Sequence, residues 1–136
     1  RDMAVQGMNV IAQAVGVHGS PGAEGGGDWR LSLSSNPGAY DLILWEANSN
    51  ARVLEEAGNF LNTADDSYAL PGPATAQDGR IVEAFVTITP VDEEGRYSAS
   101  MRVSQGGQLL GDVTVSGESS EHTVMLDLFA RLEALP

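Results

Sequence analysis

The residue types that could support catalysis or bind a metal are few in this chain and widely spaced. His18 and His122 are its only histidines, and neither lies at a metal-ligand spacing such as H-x-x-x-H. The serines near His122 show no arrangement of nucleophile, base and acid, and the sequence contains no G-x-S-x-G elbow. We therefore expect no catalytic residues, and we predict that both histidines are structural or solvated.

Three short segments could hold an ion or a phosphate. Clustered carboxylates at residues 65–66 and 92–94 are of the kind that hard cations prefer, but neither run matches the D-x-D-x-D-G calcium loop. The glycine-rich segment 22–27 lacks both the lysine and the strand–turn–helix context of a phosphate-binding loop. We predict solvated turns and a flexible loop at these places, with no metal and no cofactor.

The charge balance restricts the partners that the chain can bind. There are 19 acidic residues against 7 basic ones, all arginines, which gives a formal charge of −12. Such a surface repels phosphate backbones, so we expect no nucleic-acid partner, and basic or neutral partners remain. The absence of cysteine excludes disulfides, thiol nucleophiles and thiolate metal sites. The apolar runs are too short for an integral membrane segment.

One row of polar side chains is a candidate binding surface. In residues 96–103 polar and apolar residues alternate, the period of two that gives a strand one buried face and one solvated face. A flat polar strand face suits contacts with another protein, whereas the simpler alternative is a plain solvated surface. The predicted protein-binding residues are Arg96, Ser98, Ser100 and Arg102.

Six further segments are predicted to form strands. Segment 48–62 could also form a helical turn, and we favour the strand. Asn36-Pro37-Gly38 and Gly106-Gly107 carry turn chemistry, so each predicts a hairpin. Residues 62–78 are rich in Asp, Pro and Gly and predict a surface connection. With 96–103, the predicted strands are 9–17, 28–34, 39–46, 48–62, 81–89 and 108–116.

Seven short strands separated by turns predict an all-β fold, an immunoglobulin-like antiparallel β-sandwich. The length of 136 residues suits one domain, residues 1–136, with a core at about 8–116 and a C-terminal extension at 121–136. Alternation within the extension predicts an extra strand, and helical spacing in the same residues leaves a short helix as the second choice.

Two aromatic residues match landmarks of immunoglobulin-like domains. Trp45, on the third predicted strand, stands where such domains often bury a tryptophan, and Tyr97 begins a strand where a corner tyrosine is often found. Without a disulfide, large side chains must fill the core, each contributing roughly 1.5–3 kcal/mol when fully buried. The predicted large core residues are Trp29, Trp45, Phe85, Tyr97 and Met101.

A set of short pieces occurs in a characteristic order. They are Gly38-Ala39-Tyr40, Ser49-Asn50, Gly58-Asn59-Phe60, Gly95-Arg96-Tyr97-Ser98-Ala99, and Arg102-Val103 ahead of Gly106-Gly107. In this order and spacing, residues 28–115 resemble the small periplasmic chaperones of the curli amyloid system, particularly their alphaproteobacterial branch. The resemblance implies an immunoglobulin-like sandwich that transiently binds amyloid subunits, keeps them from polymerising early and has no enzymatic activity.

The functional expectation is a non-enzymatic protein-binding module, periplasmic or secreted, that inhibits premature polymerisation of curli-type subunits. The alternative is a structural subunit of a surface filament or capsid, in which the apolar first strand or the tail completes a neighbour's sheet. A calcium or carbohydrate binder is a third reading. The partner is expected to be a protein, and the sequence does not fix the oligomeric state.

Overall fold

The computed structural model describes residues 11–19, 29–60, 66–89, 93–119 and 123–134, which form an all-β sandwich of two sheets. The predicted sandwich is therefore confirmed. The described residues contain one helical element, the single 3-10 turn Ala74–Gln77. The strands are β1 (Ile11–Gly19), β2 (Trp29–Ser35), β3 (Gly38–Trp45), β4 (Arg52–Asn59), β5 (Asp66–Ala69), β6 (Ile81–Ile88), β7 (Arg96–Gln105), β8 (Gln108–Glu118) and β9 (Val124–Ala134).

The two sheets have different sizes and one unusual pairing. The five-stranded sheet has the order β1-β9-β6-β3-β4, and the four-stranded sheet has the order β5-β2-β7-β8. Within the described strands every pairing is antiparallel except that of β1 with β9, which is parallel. Of the nine described strands, β5 alone was not predicted, since β9 corresponds to the extra C-terminal strand. Strand β5 has four residues, too few for alternation to show against a polar connection.

The tail, predicted as an extension outside the core, is instead part of it. Residues 124–134 form β9, and its strand form confirms the first of the two predicted alternatives. Strand β9 lies between β1 and β6 and pairs with both. Its even-numbered residues Val124 to Leu132 are buried between the sheets, so the prediction of a core that ends near residue 116 is wrong.

Alternation assigns the core residues correctly in some strands and wrongly in others. Trp29, Tyr97 and Met101 are buried as predicted. Trp45 is only half-buried on the outer side of β3, and Phe85 is 39% exposed on the outer side of β6. Strand β6 has apolar residues on both faces, but its odd-numbered face also carries a glutamate and a threonine, whereas all four even-numbered residues are apolar and face inward. The pattern therefore indicates the even-numbered face as the core, and the prediction that Phe85 is a core residue is wrong.

The predicted hairpin at Asn36-Pro37-Gly38 is wrong because this turn carries the chain from one sheet to the other. Strand β2 pairs with β5 and β7, whereas β3 pairs with β4 and β6. The backbone N–H of Asn36 donates to Ser98 O of the four-stranded sheet at 3.1 Å. At Gly38 the chain passes so close to β6 that a Cβ would lie 2.1 Å from Thr87 O. Only glycine fits that approach.

The predicted immunoglobulin landmarks do not coincide in space. In immunoglobulin domains the strand with the buried tryptophan and the strand with the corner tyrosine belong to the same sheet. Here Trp45 lies in β3 of the five-stranded sheet, and Tyr97 lies in β7 of the four-stranded sheet. The two residues consequently do not form the predicted pair of landmarks.

Two other local predictions are confirmed. The ambiguous segment 48–62 contains β4, an edge strand paired with β3. Gly106 and Gly107 both have positive φ and turn β7 into β8 as a hairpin.

Arg80 anchors the connection between β5 and β6, a role that the sequence pattern does not reveal. Its buried guanidinium donates to Pro71 O at 2.7 Å and to Gln77 Oε1 at 3.1 Å. Two further bonds of 3.1 and 3.2 Å reach the carboxylate of Glu46 at the end of β3. Gln77, fully buried, donates in turn to Pro71 O at 2.9 Å. One charged and one neutral donor thus satisfy the Pro71 carbonyl of a non-repetitive loop.

Replacing this guanidinium should destabilise the fold. We expect Arg80→Met to lower the free energy of unfolding by about 2–3 kcal/mol, because the buried loop carbonyl and Gln77 lose their charged donor. Urea unfolding measures the change. The matched control is Arg30→Met, since Arg30 lies on the surface and bonds Ser67 at 3.0 Å. Equal effects of the two substitutions would contradict the anchoring role.

Candidate functional site

The four predicted binding residues lie together on the outer face of the four-stranded sheet. Alternation along β7 turns Tyr97, Ala99, Met101 and Val103 inward. The side chains of Arg96, Ser98, Ser100 and Arg102 therefore share the opposite face. Strand β7 is internal to its sheet, so this face can contact a partner through side chains and not through a free backbone edge.

Neighbouring strands extend this row into a wider surface, which we call the polar face. Arg102 forms an ion pair of 3.1 Å with Asp112 of β8, and Ser100 shares a hydrogen bond of 2.9 Å with Thr114 of the same strand. Ser100 is only 9% exposed. The described residues of the polar face are Arg30, Ser32, Ser34, Ser67, Arg96, Ser98, Ser100, Arg102, Ser104, Asp112, Thr114, Ser116 and Glu118. Its centre is therefore already internally bonded.

The arginines of the polar face remain accessible at its margins. Arg96 lies 3.7 Å from Glu94 in an exposed pair, and about half of the Arg102 side chain is exposed. Arg30 on β2 is a member that the sequence analysis did not select. The alternation of Arg30 and Ser32 with Trp29 and Leu31 was the signal that could have identified it.

The outer face of the five-stranded sheet has a different character, and we call it the acidic face. Two of its apolar side chains are well exposed, Ile81 at 37% and Phe85 at 39%. Cross-strand register sets Phe85 of β6 between Asp41 of β3 and Asp127 of β9. Two residues before Phe85, on the same face of β6, Glu83 lies opposite Ile43 of β3.

Two carboxyl groups, Glu83 and Asp127, are buried side by side on the acidic face. Glu83 is 8% exposed and Asp127 9%. Trp45 donates its indole Nε1–H to Glu83 Oε1 at 3.0 Å. Burial, then the hydrogen bond with Glu83, then the negative charge of Glu83 raise the pKa of Asp127 to about 7. Asp127 Oδ1 has no hydrogen-bond partner among the described residues.

Two cavities open on the acidic face, and Trp45 lines the second of them. One has a volume of about 470 Å³ and is lined by Asp41, Ile43, Glu55 and Phe85, among others. The other has a volume of about 450 Å³ and is lined on one side by the polar loop after β3 and on the other by Phe129 and Arg131. The guanidinium of Arg52 lies 5.2 Å from the Trp45 ring centre, a cation–π contact.

The structure describes few of the remaining residues that were considered for metal or phosphate binding. Among the described residues no three His, Cys, Asp or Glu side chains lie close enough to hold a metal. His122, the 22–27 loop, Asp65 and Asp92 lie outside the described residues, while Glu93 and Glu94 are exposed.

Comparisons with known proteins identify no relative. No family model, no curated protein and no solved structure matches this chain. The part of the chain that the structure describes contains no helix with the length and apolar character needed to cross a membrane.

The raised pKa of Asp127 makes stability depend on pH. The folded protein holds a proton that the unfolded chain has already lost between the ordinary carboxyl pKa and about 7. The stabilisation from protonated Asp127 is thus complete below the ordinary pKa and is lost as pH rises through about 7. We expect Asp127→Asn to gain on the order of 2 kcal/mol over the wild type at about pH 8, and less as pH falls.

Urea unfolding of the wild type and of Asp127→Asn across this pH range measures the difference. Asp41→Asn is the matched control, because Asp41 lies beyond Phe85 on the same face but is exposed. A stability difference for Asp127→Asn that stays constant with pH is the result that the buried pair does not allow.

Proposed function

We propose that this protein is a non-catalytic, extracytoplasmic protein-binding module, periplasmic or secreted, that keeps curli-type amyloid subunits from polymerising early. The observation that carries the proposal is the polar face, a broad flat array of hydroxyls with three arginines on one side of a sheet. The resemblance of residues 28–115 to curli chaperones supports the choice of partner. Amyloid subunits grow by adding extended segments at strand edges.

The mechanism is weak side-chain contact with an extended segment that lies across β2, β7 and β8. Hydroxyls offer both donors and acceptors, and the arginines at the margins pair with acidic or carbonyl groups of the subunit. An occupied segment cannot template the next one, so nucleation is delayed.

The module must also avoid polymerising itself, and its edge strand β4 supports this part of the proposal. Strand β4 pairs only with β3 among the described strands, so its other edge has no strand beside it. It carries Arg52, Glu55 and Glu56, and charged residues on an edge strand discourage pairing with another chain.

An aggregation assay tests the proposal. At a substoichiometric ratio the wild-type protein should prolong the lag phase of a curli-type subunit, as followed by amyloid-dye fluorescence. The double variant Arg96→Ser/Arg102→Ser should lose most of this delay, because the polar face loses two of its three arginines. Arg52→Ser/Arg131→Ser is the matched control with the same charge change on the other sheet, and it should keep the delay. An unchanged lag with the wild-type protein would overturn the proposal.

One observation favours the alternative, a filament or capsid subunit that assembles by strand exchange. Strand β1 pairs with the rest of its sheet only through β9, and it does so in parallel, so a neighbouring copy could supply the same strand. Size exclusion separates the two functions. A chaperone should elute as a monomer or dimer at every concentration, whereas a strand-exchanging subunit should form larger species as concentration rises.

A further inference from the structure

We propose that the acidic face binds a cationic side chain, an arginine or a lysine, presented by an extended segment of a partner protein, with Phe85 at the centre of the site. This site lies on the opposite side of the sandwich from the polar face. It goes beyond the proposed function because it adds a second surface and specifies the chemistry of its occupant.

The geometry of the row through Phe85 defines the site. Register sets Asp41 and Asp127 directly across from Phe85 on the two neighbouring strands, so a carboxyl group stands on each side of an exposed aromatic ring. A cation over the face of a phenyl ring is attracted by the ring quadrupole. Carboxylates at the ring margins add charge-assisted hydrogen bonds to the same cation.

An unsatisfied oxygen points to the same class of ligand. Asp127 is nine-tenths buried, and its Oδ1 has no hydrogen-bond partner among the described residues. A buried acceptor without a donor is costly, and a donor that reaches it recovers that cost. Guanidinium and ammonium groups supply several N–H donors, and their positive charge complements the carboxyl groups of Asp127 and Glu83.

The charges of the face select a cation over a neutral or acidic group. Its carboxyl-bearing residues include Asp41, Glu55, Glu83 and Asp127. Of the two arginines on its described strands, Arg52 already pairs with Glu55 at 2.7 Å. The other, Arg131, lies opposite Ile81, away from the row of Phe85. Glu83 receives one neutral donor, the indole N–H of Trp45. The chain as a whole carries a formal charge of −12, so a basic partner is also attracted at long range.

The apolar surroundings suit the stem of a long basic side chain. The cavity of about 470 Å³ beside Phe85 is lined by Ile43 as well as by Asp41 and Glu55. Arginine and lysine bury their methylene stems against apolar surface while the charged end reaches polar groups. A segment with alternating basic and β-branched residues presents such side chains on one face.

Nuclear magnetic resonance on the full chain tests this site with defined probes. The peptide acetyl-Thr-Val-Arg-Val-Thr-amide is titrated against the protein, and its citrulline analogue supplies a neutral side chain of nearly the same shape. The readout is the indole N–H resonance of Trp45, which bonds Glu83, with the buried Trp29 as the internal reference. The arginine peptide should shift the Trp45 signal saturably, and the citrulline peptide should bind about tenfold more weakly or less.

Two protein variants complete the test. At about pH 8, above the pKa of about 7 at which Asp127 ionises, Asp127→Asn keeps the shape of the side chain and removes its charge, so it should weaken binding of the arginine peptide about tenfold while leaving the protein folded. Glu93→Gln, which likewise removes one carboxylate charge but in an exposed turn outside both faces, should bind like the wild type. Equal binding of the two peptides, full binding by Asp127→Asn, or no shift at millimolar peptide would each overturn the proposal. So would an equal Trp45 shift with calcium chloride alone, which would indicate an inorganic cation.

Discussion

The five-stranded sheet depends on the position of β9, because among the described strands it alone joins β1 to β6. Its residues Leu126 and Leu128 must face inward to close the core between the sheets. Successive side chains of a strand point to opposite faces of the sheet, so Asp127, between these two leucines, faces outward. The same pairing with β6 sets it beside Phe85 and diagonal to Glu83. The chemistry of the acidic face thus follows from the packing of the core.

The two outer faces of the sandwich are consequently unlike in their energetics. On the polar face hydroxyls and ion pairs satisfy one another, as Arg102 does with Asp112, so weak and adaptable contacts are what it can offer. On the acidic face like charges are crowded and one carboxyl oxygen is left without a donor, so free energy is gained when a cation arrives. A protein-binding module with two such faces can hold one segment loosely and a second with charge selectivity.

The alternation of polar and apolar residues predicted much of the fold, because most strands have one polar and one apolar face, as β7 does. Phe85 was predicted to be in the core because it is large and aromatic, although Glu83 on the same face of β6 indicates an outer position. The turn chemistry at Asn36-Pro37 is local, and it does not show whether the chain returns in the same sheet or crosses to the other. The pairing of Glu83 with Asp127 depends on which strands become neighbours, and no local pattern in the sequence contains that information.

The central claim is that the acidic face is built around a buried carboxyl pair that retains a proton near neutrality. Carbon-detected magnetic resonance of the side-chain carboxyl of Asp127 during a pH titration tests it most directly. The structure predicts a transition near pH 7 for Asp127, accompanied by movement of the Trp45 indole resonance and not of Trp29. A transition at the ordinary pKa of an aspartate, with Trp45 unaffected, would contradict the account.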